Sequence, residues 1–342
     1  MKKLFASTIL AAGLLTISGI GLGSGLMATS AQAAECGDVT ISNMNWQSAE
    51  LLSSLDKLIL NAGYGCNAEI VVGDTVPTIT SMVEKGQPDI APEGWVDLLP
   101  DIVKKGFDDG KIISVNQSLP DGGEQGWWIP KYIADKHPDI KTFDDLLKHP
   151  DLFPDPENPA KGAIYNGAPG WGGTVVTSQF YKAFEFEKAG FNLIDTGSAA
   201  GLDGAIAKAN ERQAPIAAFY WAPTALLGKY EMVMLKTGYD VDEAEWKRCN
   251  TVLDCPDPKK NGWPKDRVDT LVTKQFSERA GPALDYLKNR SWSNETLNKL
   301  LAWMTDNQAT GEQAAIHFLK THEDMWTKWV PADVAEKVKA AL

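Results

Sequence analysis

Histidine is scarce in this chain of 342 residues, which contains only four. None of them has the spacing of a metal site, and the closest pair, His317 and His322, lacks an accompanying glutamate motif. The G-x-S-x-G elbow of serine hydrolases is also missing, and no two carboxylates stand at a spacing that assigns them to acid–base work. The sequence therefore predicts a binding protein rather than an enzyme, with no metal and no cofactor.

Positive charge is in the minority, because 33 Lys and Arg face 45 Asp and Glu and the formal net charge is −12 at pH 7. Such a chain repels polyanions, so nucleic acid and anionic membrane surfaces are not expected as partners. The glycine-rich turn at 167–173 lacks the spacing of either common phosphate-binding loop. The composition therefore favours a soluble protein whose ligand is not a phosphate.

Long apolar runs are missing beyond the first thirty-odd residues. Residues 1–33 predict a secretory signal peptide, with a basic start at Met1-Lys2-Lys3 and a mostly apolar stretch from Leu4 to Met27. An A-x-A cleavage site at Ala31-Gln32-Ala33 follows. A transmembrane anchor is the alternative, which the Gly and Ser residues inside the run disfavour.

Cysteine is as scarce as histidine, with Cys36, Cys66, Cys249 and Cys255. An even number in an exported chain indicates disulfides, and four cysteines allow three connectivities. We expect the two local pairs, Cys36–Cys66 and Cys249–Cys255. A four-thiolate zinc site is the alternative, which these spacings fit badly.

The rest of the mature chain alternates short apolar runs with amphipathic segments, over a length that suggests two domains. This alternation predicts an α/β protein with an open, mostly parallel sheet. Ligands of such sheets bind beyond the carboxyl ends of the strands. Trp46, Trp95 and Trp221 each follow a predicted strand, so we expect them at a ligand site.

Tryptophan is the one unusual abundance, with twelve residues. Half of them stand in or beside turns rich in Gly, Pro and polar residues rather than on apolar helical stripes: Trp46, Trp95, Trp127, Trp128, Trp171 and Trp221. A ring face without packing neighbours is suited to a cation that has no hydrogen-bond donor. The sequence therefore predicts an aromatic cage, whereas Trp303, Trp326 and Trp329 are expected to pack in C-terminal helices.

Three segments, together with the signal peptide and the turn that carries Trp46, show a family resemblance. They are the runs QPDIAPEGW at 87–95, GWWIPKY at 126–132 and YWAP at 220–223. Over essentially the whole mature chain the sequence resembles the periplasmic substrate-binding proteins of ABC importers for glycine betaine, proline betaine and other quaternary amines.

The resemblance implies an α/β, two-lobed periplasmic binding protein fold of type II, with the ligand cleft between the lobes. Lobe 1 is expected to comprise residues 34–130 and 237–342, and lobe 2 residues 131–236. The protein is expected in the periplasm as a monomer that delivers its ligand to the membrane permease of an ABC importer.

The resemblance also assigns roles to the tryptophans. Trp95 is expected to be a cage wall from lobe 1, and Trp171 and Trp221 walls from lobe 2. Trp46 matches a fourth wall found in the choline-binding branch. One of Trp127 and Trp128 is expected to face the cleft, because neighbouring side chains of a strand point to opposite faces.

The sequence departs from many betaine binders at Thr224, where the loop W-x-P-H of the family carries a histidine that helps to hold the ligand carboxylate. Glu93 and Glu124 stand near cage tryptophans and suit a more cationic or polarised head, or they are ordinary solvated carboxylates. The Cys249–Cys255 loop and residues 221–230 look like the branch that binds trimethylamine N-oxide. We therefore expect trimethylamine N-oxide first and glycine betaine second.

Other readings remain open. Choline, carnitine or dimethylsulfoniopropionate are alternative ligands within the same family. An exported carbohydrate-active enzyme is the alternative of another class, with tryptophans as sugar platforms; it requires a carboxylate pair about 5–10 Å apart, for which the sequence has no signal. A sensory or scaffold module with this fold differs only in lacking a permease.

Overall fold

The computed structural model describes residues 36–342. The predicted signal peptide therefore lies outside the described residues. Within residues 36–342, no helix combines the length and the apolar character that crossing a bilayer requires.

Strands and helices alternate through most of this range. The strands are β1 (Asp38–Met44), β2 (Asn67–Gly73), β3 (Ile90–Trp95), β4 (Ile112–Pro130), β5 (Gly162–Asn166), β6 (Phe191–Asp195), β7 (Ala218–Ala222), β8 (Met232–Met234) and β9 (Asp266–Thr273). The helices are α1 (Gln47–Tyr64), α2 (Thr75–Lys85), α3 (Pro100–Asp108), α4 (Lys131–Lys136), α5 (Phe143–Leu146), α6 (Gly172–Ala183), α7 (Ala199–Glu211), α8 (Ala225–Lys229), α9 (Glu243–Glu245), α10 (Lys274–Arg279), α11 (Ala283–Asn289), α12 (Asn294–Asn307), α13 (Gly311–Thr321), α14 (Glu323–Trp326) and α15 (Ala332–Ala340).

Strand β4 connects two halves of the sheet. The strand order is β2-β1-β3-β9-β4-β7-β5-β6, and β8 lies beside β4. Up to Gly123 strand β4 pairs with β9, and from Glu124 onward it pairs with β7. We call β1, β2, β3, β9 and residues 112–123 the first half of the sheet, and β5 to β8 with residues 124–130 the second half.

The sheet is mixed rather than mostly parallel as the sequence predicted. The pairs β1–β2, β1–β3, β5–β6 and β5–β7 are parallel. All four pairings of β4 and β9 are antiparallel. The strands at the junction between the halves are thus antiparallel. Strands β1 and β3 are parallel, so Trp46, which follows β1, and Trp95, which ends β3, lie at the same edge of the sheet.

Helix α1 shows how local sequence positions the site. Leu51, Leu55 and Ile59 recur at helical spacing and are fully buried. The helix ends at Gly65, whose φ of 69° is the left-handed conformation that glycine adopts readily. Its first turn follows Trp46 directly, so the packing of α1 on the sheet fixes where this tryptophan lies.

A buried ion pair anchors the strand that precedes the site. Arg290 and Asp56 are both fully buried, and Arg290 Nε lies 2.8 Å from Asp56 Oδ1. The Tyr286 hydroxyl donates to the same carboxylate at 2.6 Å, and Arg290 Nη2 donates to the carbonyl oxygen of Pro92 at 3.4 Å. This network fixes the backbone of β3 at Pro92, the residue before Glu93.

Both local disulfides expected from the sequence are present. Cys36 pairs with Cys66 and Cys249 with Cys255, with Cα atoms 5.0 and 5.4 Å apart. In residues 36–342, Asp257 completes a group of potential metal ligands with Cys249 and Cys255. Because both sulfurs are in the disulfide, neither is available as a thiolate, and a zinc site has no basis here.

Candidate ligand-binding site

Four indole rings converge on one small cavity. We call it the tryptophan cavity; it is lined by Trp46, Thr75, Trp95, Leu98, Gln125, Trp171, Gly173, Phe219 and Trp221. Its empty volume is about 280 Å³, and the space in which the centre of a water molecule can move is about 20 Å³. The four tryptophans are only 4 to 7 % exposed. The cavity is therefore small and lined mainly by aromatic rings.

Each ring reaches the cavity from the end of a secondary-structure element. Trp46 lies between β1 and α1, and Trp95 is the last residue of β3. Trp171 is the residue before α6, and Trp221 lies next to the end of β7. Trp46 and Trp95 thus come from the first half of the sheet, and Trp171 and Trp221 lie in or beside the second.

The rings meet edge to face. The centroids of Trp171 and Trp221 are 5.1 Å apart with an interplanar angle of 85°, and those of Trp46 and Trp171 are 5.9 Å apart at 87°. Perpendicular aromatic pairs are favourable because the positive edge of one ring meets the negative face of the other. The arrangement makes a corner of ring faces, which is the geometry that holds a rounded cation.

Glu93 accepts hydrogen bonds from two of the rings. The Nε1 atoms of Trp46 and Trp95 donate to Glu93 Oε1 at 2.8 and 3.1 Å, and Ser48 Oγ donates to the same oxygen at 3.0 Å. The carboxylate is buried, and its Oε2 has no hydrogen-bond partner. Burial raises the pKa of Glu93 to about 7, although its three donors and the charge of Arg290 act to lower it.

A second carboxylate holds a third ring. Trp171 Nε1 donates to Asp74 Oδ1 at 3.2 Å, and burial raises the pKa of Asp74 above its usual value. The backbone N–H of Val76 donates to the carbonyl oxygen of Gly170 at 3.0 Å. Gly170 has a φ of 94°, which an L-residue rarely adopts, so a glycine is required at this contact. These two hydrogen bonds link the start of α2 to the turn before α6.

Gly123 allows Trp95 to lie flat against strand β4. A Cβ atom at this position would stand 2.1 Å from Cζ3 of the Trp95 ring. Two residues further on, Gln125 lines the cavity and donates through Nε2 to Asp266 Oδ2 at 2.9 Å. Burial raises the pKa of Asp266 to about 8. Strand β4, which the two halves of the sheet share, therefore forms part of the cavity wall.

The structure does not bring all the predicted site residues to the cavity. Trp127 is fully buried and stacks on Phe143 at a centroid distance of 4.3 Å, and Trp128 donates to the carbonyl oxygen of Tyr220 at 3.0 Å. Neither lines the tryptophan cavity. Glu124 is exposed and faces a different cavity. Of the two candidate glutamates, only Glu93 bonds to cage tryptophans.

Five lining residues were missed by sequence reasoning: Phe219, Leu98, Thr75, Gln125 and Gly173. Phe219 is two residues before Trp221 on β7 and so lies on the same face of the strand, with the rings 6.1 Å apart. The period-2 alternation of a strand is a signal that identifies it. Leu98 and Thr75 also line the cavity, and neither has a local sequence signal because tertiary packing brings them there.

Two helices begin at the cavity. Thr75 is the first residue of α2, and Gly173 is the second residue of α6; both line the cavity wall. The first N–H groups of a helix have no partner inside it, and the helix dipole makes this end positive. The cavity wall therefore includes the first turns of α2 and α6, where the N–H of Val76 already donates to the carbonyl oxygen of Gly170.

Two larger cavities lie beside this one. An adjoining groove with an empty volume of about 670 Å³ shares Trp46 and Trp221 with the tryptophan cavity and is otherwise lined mainly by polar residues, among them Asp203 and Tyr220. A second space of about 1040 Å³ shares only Gln125 with it and is lined by residues that include Glu124 and Trp263. We favour the smaller tryptophan cavity as the site because convergent ring faces and buried carboxylates are found there.

Comparisons with known proteins concern the family and the fold of the chain. A family model described as the substrate-binding domain of an ABC-type glycine betaine transport system matches residues 37–321. The structure is similar to a choline-binding protein of an ABC transporter in complex with choline, with a TM-score of 0.71 and 22% identity over 90% of this chain and 98% of that one.

Two further solved structures show the same fold. A glycine betaine/L-proline-binding protein from Borrelia burgdorferi matches with a TM-score of 0.69 and 19% identity, over 88% of this chain and 99% of that one. The lactococcal OpuAC protein, closed on glycine betaine, matches with a TM-score of 0.65 and 18% identity, over 86% and 100%. The expected two-lobed α/β binding-protein fold, with its cleft between the lobes, is confirmed.

Proposed function

The chain belongs to the family of substrate-binding domains of ABC-type glycine betaine transport systems, and we propose that it is the periplasmic solute-binding protein of an importer for a small trimethylammonium osmolyte. Trimethylamine N-oxide is our first choice and glycine betaine our second. The observation that carries this proposal is the convergence of Trp46, Trp95, Trp171 and Trp221 on one small cavity.

A trimethylammonium group has no N–H donor, so hydrogen bonds cannot select it, whereas ring faces attract its spread positive charge. Each cation–π contact contributes roughly 0.5–2 kcal/mol, with the larger values in dry sites. Four buried rings therefore supply several kcal/mol before the cost of ordering the ligand. This is compatible with micromolar affinity, which corresponds to about −8 kcal/mol.

The lining of the cavity supports a small cation over a sugar. Apart from the tryptophans, only Thr75 and Gln125 line it with polar side chains. The hydroxyl groups of a buried sugar need hydrogen-bond partners, and this lining supplies few of them. An exported carbohydrate-active enzyme is therefore disfavoured, and binding without turnover is the function we propose.

Features around the cavity favour a ligand with a negative oxygen close to the cation. The starts of α2 and α6 at Thr75 and Gly173 suit such an oxygen. Thr224 lies on the adjoining groove, and its side chain caps α8 by accepting from the N–H of Leu227. A neutral threonine does not replace the histidine that partners a carboxylate in many betaine binders, which ranks the N-oxide above betaine.

The family and the two-lobed fold support the transport role. We propose that lobe 1 comprises residues 34–130 and 237–342 and lobe 2 residues 131–236, with closure of the cleft burying the ligand and drying the cage. The hydrogen bonds Trp171–Asp74 and Val76–Gly170 are contacts that such closure would make. The closed monomer would then present both lobes to the membrane permease.

The adjoining groove supports a second group of ligands. It shares Trp46 and Trp221 with the cavity, so a ligand whose head occupies the cage can extend its tail between these rings. Choline, carnitine and dimethylsulfoniopropionate are such ligands, and they remain the alternative within this proposal.

A calorimetric panel tests the proposal. The mature protein, freed of endogenous ligand by unfolding and refolding, is titrated with trimethylamine N-oxide, glycine betaine, choline, carnitine, dimethylsulfoniopropionate and a neutral disaccharide. We expect micromolar binding of trimethylamine N-oxide and weaker binding of the others. Tight binding of the disaccharide with no response to any of the onium compounds would refute the proposal.

A further inference from the structure

Three of the four cage indoles donate their N–H to a carboxylate rather than to a neutral acceptor. Trp46 and Trp95 share Glu93 Oε1, and Trp171 bonds to Asp74. Neutral carbonyl oxygens serve this purpose elsewhere in the same protein: Trp128, Trp246 and Trp326 donate to the backbone oxygens of Tyr220, Asp97 and Leu319. The use of charged acceptors is thus a feature of the cage.

We propose that Glu93, assisted by Asp74, is a positioning and charge-supplying residue that acts on the bound cation through the indole rings without touching it. The proposal rests on the proposed function, since it concerns the same cavity. Glu93 does two things in this role. Its single oxygen fixes the planes of Trp46 and Trp95 relative to each other, and its negative charge strengthens the attraction of both ring faces for a cation.

The physical basis is polarisation. A hydrogen bond to an ionised acceptor is stronger than one to a neutral acceptor, and in a low-dielectric interior linked hydrogen bonds polarise one another. An indole whose N–H donates to a carboxylate shifts electron density into its ring, which deepens the negative face that attracts a cation. The carboxylate also attracts the cation directly across the dry cage.

The charge of Glu93 is not cancelled by a neighbour. Arg290 is the cationic side chain whose field reaches it, but Arg290 Nε lies 2.8 Å from Asp56 Oδ1, so its charge is paired there. The other groups in contact with the Glu93 carboxylate are the neutral donors of Trp46, Ser48 and Trp95. The ionised Glu93 carboxylate is therefore an uncompensated negative charge next to the indoles of Trp46 and Trp95, and a bound cation neutralises it.

The hydrogen bonds that orient the rings of Trp46 and Trp95 do not depend on the charge of Glu93. All three donors bond to Oε1, and the buried Oε2 has no partner. A proton on Oε2 therefore removes the charge and leaves the three hydrogen bonds in place. Because burial raises the pKa of Glu93 to about 7, this change occurs at an accessible pH. Glu93→Gln imitates it, since the amide oxygen can take the place of Oε1.

The test uses ligands that do not titrate. Tetramethylammonium and glycine betaine are titrated calorimetrically into the mature wild-type protein from about pH 5.5 to about pH 8.5, a range that brackets the raised carboxyl pKa. We expect the affinity for tetramethylammonium to rise about tenfold or more across this range, with proton release on binding near pH 6.5 in buffers of different ionisation enthalpy. Glu93→Gln is expected to bind as weakly at high pH as the wild type does at low pH, and to release no proton.

Asp269→Asn is the matched control. Asp269 lies on β9 and burial raises its pKa, but its carboxylate bonds to Ser114 and Arg267 and lines neither the tryptophan cavity nor the adjoining groove. We expect it to retain the wild-type pH profile.

The outcomes distinguish this inference from the proposed function. Wild-type protein that binds none of the onium ligands would defeat the proposed function. Wild-type protein that binds them with a flat pH profile, together with unchanged affinity in Glu93→Gln, would overturn the inference alone. If Glu93→Gln does not fold, the wild-type pH profile and proton release still decide the matter.

Discussion

The rings of Trp171 and Trp221 meet at 85° with centroids 5.1 Å apart, although one precedes helix α6 and the other lies in strand β7. Fifty residues of chain separate them, and the sheet brings their carboxyl-end positions together. Because this pair forms one side of the tryptophan cavity, its removal is the most direct test of the cage.

We expect Trp171→Ala and Trp221→Ala each to weaken binding of trimethylamine N-oxide at least tenfold, since each removes a ring face worth roughly 0.5–2 kcal/mol together with the dryness of the site. Titration calorimetry measures the change, and circular dichroism checks that both variants remain folded. Unchanged affinity in both would contradict the cage; a large loss of melting temperature instead would identify them as core residues.

Trp127→Ala is the complementary variant. Trp127 is fully buried, stacked on Phe143 and edge to face with Phe186, away from the cavity. Its truncation is expected to lower the free energy of unfolding by about 3–5 kcal/mol. Urea denaturation measures this, and at a temperature where the variant is folded we expect its ligand affinity to equal that of the wild type. A tenfold loss of affinity without loss of stability would show that Trp127 takes part in ligand binding.

The sequence predicted a common location for Trp46, Trp95, Trp171 and Trp221, because each stands at or beside the end of an element that local periodicity reveals. The structure brings their rings to one cavity, and their role in ligand binding stays a prediction. It did not reveal β9, a central strand. Asp266, Arg267 and Asp269 break the apolar pattern of that strand, and only tertiary contacts make them tolerable: Asp269 accepts from Ser114 at 2.7 Å and pairs with Arg267 at 3.0 Å.

The choice between Glu93 and Glu124 was equally beyond the sequence. Glu93 stands two residues before Trp95 and Glu124 three residues before Trp127, yet Glu93 is buried against two indoles and Glu124 is exposed. The difference depends in part on strand β4, of which the sequence indicated residues 125–130 as a strand but not residues 112–124. Phe219, by contrast, could be predicted from Trp221, because residues two apart in a strand lie on the same face.

Gly123→Ala tests the close approach of Trp95 to strand β4. The added Cβ would stand 2.1 Å from the ring, so Trp95 must shift and its hydrogen bond to Glu93 must weaken. We expect lower ligand affinity by calorimetry. Gly204→Ala is the control, because that glycine lies inside α7 with open space around it, and the change is expected to stabilise the helix by about 0.5–1 kcal/mol. Equal affinities in the two variants would contradict the role given to Gly123.

The pKa values of Glu93 and Asp266, raised by burial to about 7 and about 8, predict the pH dependence of stability. The folded state keeps these protons above pH 4–5, where the unfolded state has released them, so the folded state binds more protons. The free energy of unfolding of the ligand-free protein must therefore fall as pH rises from about 5 to about 8, with each group contributing on the order of 3 kcal/mol.

Urea denaturation across this pH range measures the slope. Asp266→Asn is expected to flatten the part of the curve nearest pH 8 and to raise the melting temperature there, since the buried charge is removed. Stability that instead rises steadily from about pH 5 to about pH 8 would show that neither carboxyl has a raised pKa in the folded protein.

The two disulfides should differ in what they contribute. Cys36–Cys66 closes a loop with a sequence separation of 30, and Cys249–Cys255 one with a separation of 6. Since a longer loop loses more entropy in the unfolded chain when it is closed, replacing the first pair by serine is expected to cost about 3–4 kcal/mol and the second about 2 kcal/mol. Thermal unfolding of the two double variants compares them. An order opposite to this one would mean that the short loop at 249–255 stabilises the folded state by more than its closure entropy, through the contacts that it holds against α6, where Gln179 Nε2 donates to the carbonyl oxygen of Val252 at 2.9 Å.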